Sequence, residues 1–288
     1  MRAEGWTDLS GRAKFQLAGP DAERYLNGQT TQDVRRATSG HALPSLITTA
    51  KGKIEADVFI SRHGTGAFLI DGPEELRMAL QLRLDRYLIA DNAALDDVSE
   101  DFHLFHVLGT EPVAPEPGTC RRANRFGLPG WDLLLPATLL HRPEGPELDP
   151  ETLEALRVAH GLPRWPNELD GDVLPQEAGL EDRCLDFHKG CYIGQEVISR
   201  IKSAGRVNRL LRALVADPGA TPAPGAPLFL EDREVGRITS VVKNADLDRM
   251  TALAYVKRDA SAPGTRLHAG GPEKTLSSSL EIRETPLC

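Results

Sequence analysis

Residues 217–227 read DPGATPAPGAP, and no regular element runs through such a segment. Each proline fixes φ and removes a backbone donor, and each glycine raises the entropic cost of order. The break separates two different textures of sequence. Beyond it, LFLEDREVGRITSVV reads as two strands around a charged turn, and TALAYVKRD and TRLHAG supply further strands. Several short strands in so small a span predict a compact all-β module, a barrel or a curled sheet. At 288 residues the chain exceeds the size of a single core, so two or three domains are expected.

Ahead of the break, helical and strand-like patterns alternate. Gly19-Pro20-Asp21 opens a helix at Ala22, with Pro20 where a first turn tolerates it. Residues 43–50 and 54–61 are strand candidates around the turn Lys51-Gly52-Lys53, and 66–70 is a third. An amphipathic helix follows Pro73, with Leu76, Leu80, Leu84, Tyr87 and Leu88 at inward-facing spacing. A second helix is capped by Asp149, opened by Pro150 and stopped by Gly161 and Pro163. Short strands joined by tight turns predict an α+β arrangement with antiparallel pairing. The next stretch, RWPNELDGDVLPQEAGLEDR, is too rich in turn residues for regular structure; a loop of that length is functional or pinned by ligands.

Composition removes several classes of function. No run approaches the ~20 apolar residues of a membrane span, and MRAEGWTDLSGR has no apolar signal core, so a cytoplasmic protein without membrane contact is expected. A net charge of −8 and a pI near 5.5 argue against direct nucleic-acid binding. Neither a P-loop nor a dinucleotide fingerprint is present. The four cysteines, Cys120, Cys184, Cys191 and Cys288, form no C-x-x-C pair and match no zinc spacing, so no metal site is expected.

One cysteine stands in an unusual context. From Asp186 the chain reads DFHKGCYIGQEVISRIKSAGRVNR, and Val197, Ile198 and Ile201 fall at helical spacing. The pattern predicts a helix from about Gly194 to about Ser203, with Cys191 just before its N-terminus. Unpaired N–H groups and the helix dipole favour an anion there, and Lys189 and His188 can add positive charge. Each influence lowers a thiol pKa, and the thiolate is the reactive form. Gly190 and Gly194 permit backbone angles or close approaches that a side chain blocks. The alternative is a buried packing residue beside Tyr192. Cysteine-hydrolase chemistry is the weaker reading, because His188 lacks an orienting partner.

The run KGCYIGQE resembles the signature of the YgfZ family, relatives of the glycine-cleavage T-protein. LAGPDAERYLNGQTTQDV, TTAKGKIEADVFISR, LRVAHGLPRWPNELDGDVLPQEAGL, VGRITSVV and LAYVKRD are similar to the family's other blocks, so the likeness spans most of the chain. The resemblance implies a three-domain cloverleaf around a central folate channel. Two intertwined α+β domains would occupy 1–210, with internal boundaries near 45, 105 and 150, and a β-barrel would occupy 211–288. It implies tetrahydrofolate or a derivative as cofactor, iron–sulfur enzymes or assembly proteins as partners, and an indirect effect on tRNA modification. It marks Cys191 as the functional thiol within the motif Lys189, Gly190, Cys191, Tyr192, Gly194, Gln195 and Glu196. Asp57, Trp131, Asp132 and Lys189 become candidate folate contacts.

Two departures from the T-protein weaken aminomethyl transfer. Where that enzyme carries paired aspartates after the first hairpin turn, this chain reads GKIEAD and keeps only Asp57; RFGLPGWDLLLP lacks one expected glutamate, leaving Asp132 in the second acidic place. An aminomethyltransferase and a partner-binding scaffold without catalysis are the two alternatives to an iron–sulfur accessory protein.

Overall fold

The computed structural model describes residues 3–270 and 278–287. The first elements are β1 (Gly5–Asp8), β2 (Ala13–Ala18), α1 (Ala22–Gln29), β3 (Leu43–Thr48), β4 (Ile54–Arg62), β5 (Ala67–Gly72), α2 (Arg77–Asp85) and β6 (Ala94–Asp97). Next come β7 (Phe102–Leu108), β8 (Thr119–Ala123), β9 (Gly130–Pro136), α3 (Pro150–Ala159), α4 (Glu181–Cys184) and α5 (Gln195–Ala204). The last are β10 (Arg209–Ala216), β11 (Pro227–Leu230), β12 (Arg233–Asn244), β13 (Arg249–Lys257), β14 (Arg266–Ala269) and β15 (Ser278–Arg283). These form two compact units. Of the described residues, one takes 3–148 and 181–199, the other 149–180, 200–270 and 278–287.

In the first unit a five-stranded sheet runs β3-β4-β5-β2-β6 and a four-stranded sheet runs β1-β7-β9-β8, with antiparallel neighbours. Side chains alternate across a strand, which gives the five-stranded sheet two faces of different character. Ala56, Val58 and Ile60 of β4, Phe68 and Ile70 of β5, and Phe15 and Leu17 of β2 pack with Tyr25 and Leu26 of α1 and Leu80 and Leu84 of α2. Each fully buried aliphatic or aromatic residue of that kind contributes roughly 1.5–3 kcal/mol. On the opposite face Leu69 packs with Leu104 and Leu134, so the four-stranded sheet covers it. Asp57, Phe59 and Asp71 share that covered face by alternation.

The second unit is built on a closed barrel, β10-β13-β12-β11-β14-β15, filled by Leu214, Leu228, Ile238, Ala252, Ala254, Leu267, Leu280 and Ile282. Helix α3 packs on β12 and β13. The Asp149 side chain accepts from Thr152 N at 2.8 Å, which caps α3 as its sequence predicts. Arg157 of α3 reaches Glu168 at 2.9 Å and Ser240 of β12 at 2.7 Å, and Ser240 also donates to Glu168 at 2.6 Å. A buried pair with its remaining lone pairs filled in this way meets the condition under which such pairs are tolerated.

Two local expectations change. The predicted inward residue Tyr87 lies beyond the end of α2 and is 42% exposed. The guanidinium carbons of Arg83 and Arg86 lie 4.6 and 5.7 Å from its ring centroid, so cation–π contact replaces core packing. The polar stretch 164–183 is irregular until Glu181, where α4 begins.

Candidate functional site

The segment before α5 is fastened to the first unit by its backbone and by one side chain. Ile193 N donates to Gly28 O at 3.2 Å, and Thr48 Oγ1 donates to Ile193 O at 2.6 Å. Gly194 has φ +89°, and a Cβ there would stand 2.5 Å from Thr49 O. Gly190 has no atom within 4 Å of such a Cβ, so only one of the two glycines is required by a close approach. Helix α5 opens at Gln195, four residues after Cys191. Glu196 and Gln195 therefore occupy its first turn, as the motif predicts.

Lys189 is a clamp. Its Nζ donates to the carbonyls of Asn27 (2.7 Å), Thr30 (2.7 Å) and Gln32 (2.6 Å), with only 6% of the residue exposed. Those carbonyls lie at and just past the C-terminal end of α1, where carbonyl groups lack intrahelical partners and a cation is favoured. Tyr192 lies 5.2 Å from the ammonium, measured to the ring centroid. Burial pulls the Lys189 pKa down to about 8, against the opposing pull of Asp33 and Asp186. The positive charge expected beside the thiol is thus committed to three backbone oxygens.

Among the described cysteines only Cys191 is exposed. Cys184 is buried and its thiol is pushed up to about 12; Cys120 is half-buried and is pushed up to about 11, in both cases chiefly by desolvation. Cys288 lies outside the described residues. His188 is exposed, and its backbone N–H donates to Asp186 Oδ1 at 2.8 Å. Among the described residues no group of three or more His, Cys, Asp or Glu side chains converges as a metal site.

The other candidate residues separate by strand alternation. Trp131 faces the cluster of Trp6, Phe105, Val107, Leu133 and Leu135, with the Arg122 guanidinium 5.0 Å from its ring centroid. Asp132, one residue on, faces the opposite way and is 1% exposed. It binds His106 Nδ1 at 2.8 Å, and Arg125 donates to it at 2.7–3.1 Å. The same guanidinium donates to both oxygens of Asp71, at 3.0 and 2.8 Å, and Arg12 Nε donates to Asp71 at 2.6 Å. Burial pushes both carboxyls up, but the charge of Arg125 and its hydrogen bonds outweigh that and hold them below the usual range. Trp131 and Asp132 therefore serve different faces of one strand.

Asp57 differs from both partnered aspartates. Its Oδ1 is buried and has no hydrogen-bond partner. Desolvation raises its pKa, with Arg12 opposing and Asp71 and Glu75 adding to the rise. An unpaired buried carboxyl oxygen is costly, and each one in a folded protein calls for an explanation. The face that carries Asp57 is the one covered by the four-stranded sheet.

Around Asp57 lie groups that no spacing rule in the sequence joins. Phe59 shares its face of β4, and Arg125 lies 4.1 Å from the ring centroid. Arg183 of α4 lies over the same ring at 5.9 Å. Gln32 Nε2 donates to Arg183 O at 3.2 Å, and Thr31 Oγ1 donates to Cys184 O at 2.6 Å; these bonds fix α4 beside β3. Gln32 Oε1 and Tyr192 Oη are further buried polar atoms without partners.

A closed antiparallel barrel following a two-sheet α+β unit defines a glycine-cleavage T-protein type of architecture, and comparison with known proteins agrees. Residues 1–114 match the GCVT N-terminal domain and residues 209–285 the glycine cleavage T-protein C-terminal barrel domain. The aminomethyltransferase T structure from Bartonella henselae superposes with a TM-score of 0.84 at 17% identity, covering 100% of this chain and 87% of that one. The mitochondrial iron–sulfur cluster assembly factor IBA57 homolog of Neurospora crassa is 26% identical, over 96% of this chain and 70% of its own length. The tRNA-modifying protein YgfZ of Klebsiella pneumoniae is 28% identical, over 78% and 76%. An aminomethyltransferase of Chlorobium luteolum is 27% identical, over 92% and 82%. The chain is a YgfZ-like protein related to the glycine-cleavage T-protein.

Proposed function

We propose that this chain is a cytoplasmic, folate-dependent accessory protein for the assembly or maintenance of iron–sulfur enzymes, acting on tRNA modification only indirectly, with the Cys191 thiol as its effector group. The observation that carries the reading is the placement of Cys191. It is the one described cysteine open to solvent, and it stands on a loop held by Lys189 and Gly194. A thiol meant for packing would be buried like Cys184. Relatives named for iron–sulfur cluster assembly and for tRNA modification support the same reading.

The residues present fit a folate. A pteridine is a flat heterocycle with N–H donors along one edge, and the unpaired Oδ1 of Asp57 is a buried acceptor for one of them. Bound tetrahydrofolate would supply a one-carbon carrier or a reductant. The chain's own residues bind and orient it: Asp57 accepts, and the Arg12–Asp71–Arg125–Asp132 network fixes the floor beside Asp57.

The test is complementation of a strain lacking the protein, scored by an iron–sulfur enzyme's activity, alongside tetrahydrofolate binding to the purified protein. Cys191→Ala is expected to bind tetrahydrofolate normally and to fail in rescue. Full rescue by that variant would remove the thiol from the mechanism, and absence of binding to the wild type would remove the folate.

A second reading, aminomethyl transfer, is favoured by one observation: Asp57 is a buried carboxyl with a raised pKa, the type of group that exchanges protons with a bound amine. Folate-dependent release of ammonia from an aminomethylated lipoyl carrier would establish it.

A further inference from the structure

Two guanidinium groups lie over the Phe59 ring, and they differ in one respect. Arg125 is neutralised by Asp71 and Asp132, each within 2.8 Å. Arg183 makes no ion pair with any described carboxylate. Its Nη1 donates to Asn124 Oδ1 at 3.3 Å and its Nη2 to Asn124 O. Desolvation lowers its pKa, the mark of a cation held away from water without a full counter-charge. Asp57 and Phe59 share one face of β4, Arg183 lies 5.9 Å from the Phe59 ring centroid, and Asp57 Oδ1 has no hydrogen-bond partner. The covered face of the sheet therefore holds an acceptor lacking a donor and a cation lacking an anion, both beside Phe59.

A ligand that satisfies both must present a donor and, close beside it, an acceptor. The amide edge of a 4-oxopteridine has this form: a ring N–H stands next to a carbonyl oxygen. We propose that Arg183 reads the ring carbonyl of a pteridine whose adjoining N–H is held by Asp57, which makes Arg183 a specificity-determining residue of the site; the inference rests on the folate reading above. A 2,4-diaminopteridine places an amino donor where the carbonyl stands, confronting the guanidinium with hydrogens, and its adjoining ring nitrogen carries no hydrogen for Asp57. Unmatched buried polar groups are the strongest source of such discrimination.

The experiment is anaerobic titration calorimetry of the full chain with 6-methyltetrahydropterin and with its 2,4-diamino counterpart, neither of which carries the glutamate tail. The wild type is expected to prefer the 4-oxo compound by roughly tenfold to a hundredfold, the scale of one charge-assisted hydrogen bond. Arg183→Gln is expected to narrow that preference by about tenfold or more, weakening the 4-oxo compound and sparing the diamino one, with the remainder set by Asp57 and the ring N–H. A ratio of affinities does not depend on the fraction of protein that is folded. Arg183→Lys, which keeps the charge, retains a reduced preference and covers the case in which glutamine disrupts α4. An unchanged ratio in Arg183→Gln overturns the inference, and so does equal weakening of both compounds, the signature of a clamp on Asn124. A wild type that binds neither pterin nor tetrahydrofolate overturns the folate reading itself.

Discussion

Asp57 shows how one residue sets stability against binding. With no ligand, its carboxylate sits in a desolvated position where one oxygen has no donor. The folded-state pKa lies above the unfolded value, so the folded chain binds more protons over that interval. The stabilising contribution is full below the unfolded pKa of about 3.9 and is lost as pH rises through the folded pKa. Asp57→Asn removes this dependence. The variant should melt higher than wild type at pH 7, should show no gain near pH 3, and should bind tetrahydrofolate more weakly. Thermal melts across that range check it, and a gain of equal size at pH 3 would contradict burial of the charge.

Lys189 makes the opposite case, a buried charge with its donors used. Substitution by Met keeps the stem and strands three carbonyls at the end of α1. Charge-assisted bonds of this kind contribute about 1.5–3 kcal/mol each when removal leaves a partner unsatisfied, offset here by the cost of burying the ammonium. Lys189→Met should destabilise the protein by about 2 kcal/mol in urea titration and speed the reaction of Cys191 with a thiol reagent. An unaltered midpoint would show that water replaces the ammonium at no cost.

At the level of elements, the turn before α5 makes a sharp distinction between two glycines in one motif. Gly194→Ala forces a side chain into positive φ and against Thr49 O, with an expected cost of at least about 2 kcal/mol. Gly190→Ala meets open space and should lie within about 0.5 kcal/mol of wild type. Equilibrium unfolding of the pair distinguishes a structural motif from one read by a partner: a functional defect in Gly190→Ala with intact stability would assign that glycine to recognition.

The same elements show what local sequence can carry. The β3–β4 hairpin around Gly52, the α3 cap at Asp149 and the α5 start near Gly194 follow from turn residues and short-range periodicity, and all three stand within a residue or two of expectation. The place of Cys191 just ahead of α5 is legible for the same reason, since the segment is contiguous. Tyr87 was misread because helical spacing continues past Asp85 although the helix does not. Arg12, Asp71, Arg125 and Arg183 were invisible because their meeting depends on strand order and on which sheet covers which face. Trp131 and Asp132 looked like one site in the sequence, and alternation across β9 sends them apart.

At the scale of the whole molecule, the first unit holds an unpartnered buried carboxyl oxygen on Asp57 and, beside Phe59, the Arg183 guanidinium without an ion pair among the described residues. The barrel unit has a rival feature, a cleft of about 640 Å³ lined by Val215, Leu247, Arg249, Pro263, Glu281 and Leu287. Arg249 there donates to Ala216 O, Glu281 pairs with Arg283 and Arg266, and none of the described buried polar atoms without a partner belongs to its lining. A ligand there meets no described buried polar atom in want of a partner, whereas one at Asp57 supplies a missing donor. Ligand binding stabilises the state that binds it, by about 2.7 kcal/mol at a hundredfold excess over Kd. Tetrahydrofolate should therefore slow amide exchange in β4, β5 and α4, with β14 and β15 unaffected. Protection confined to β14, β15 and the segment 284–287 would move the ligand to the barrel cleft and leave Asp57 as an unexplained cost to folding.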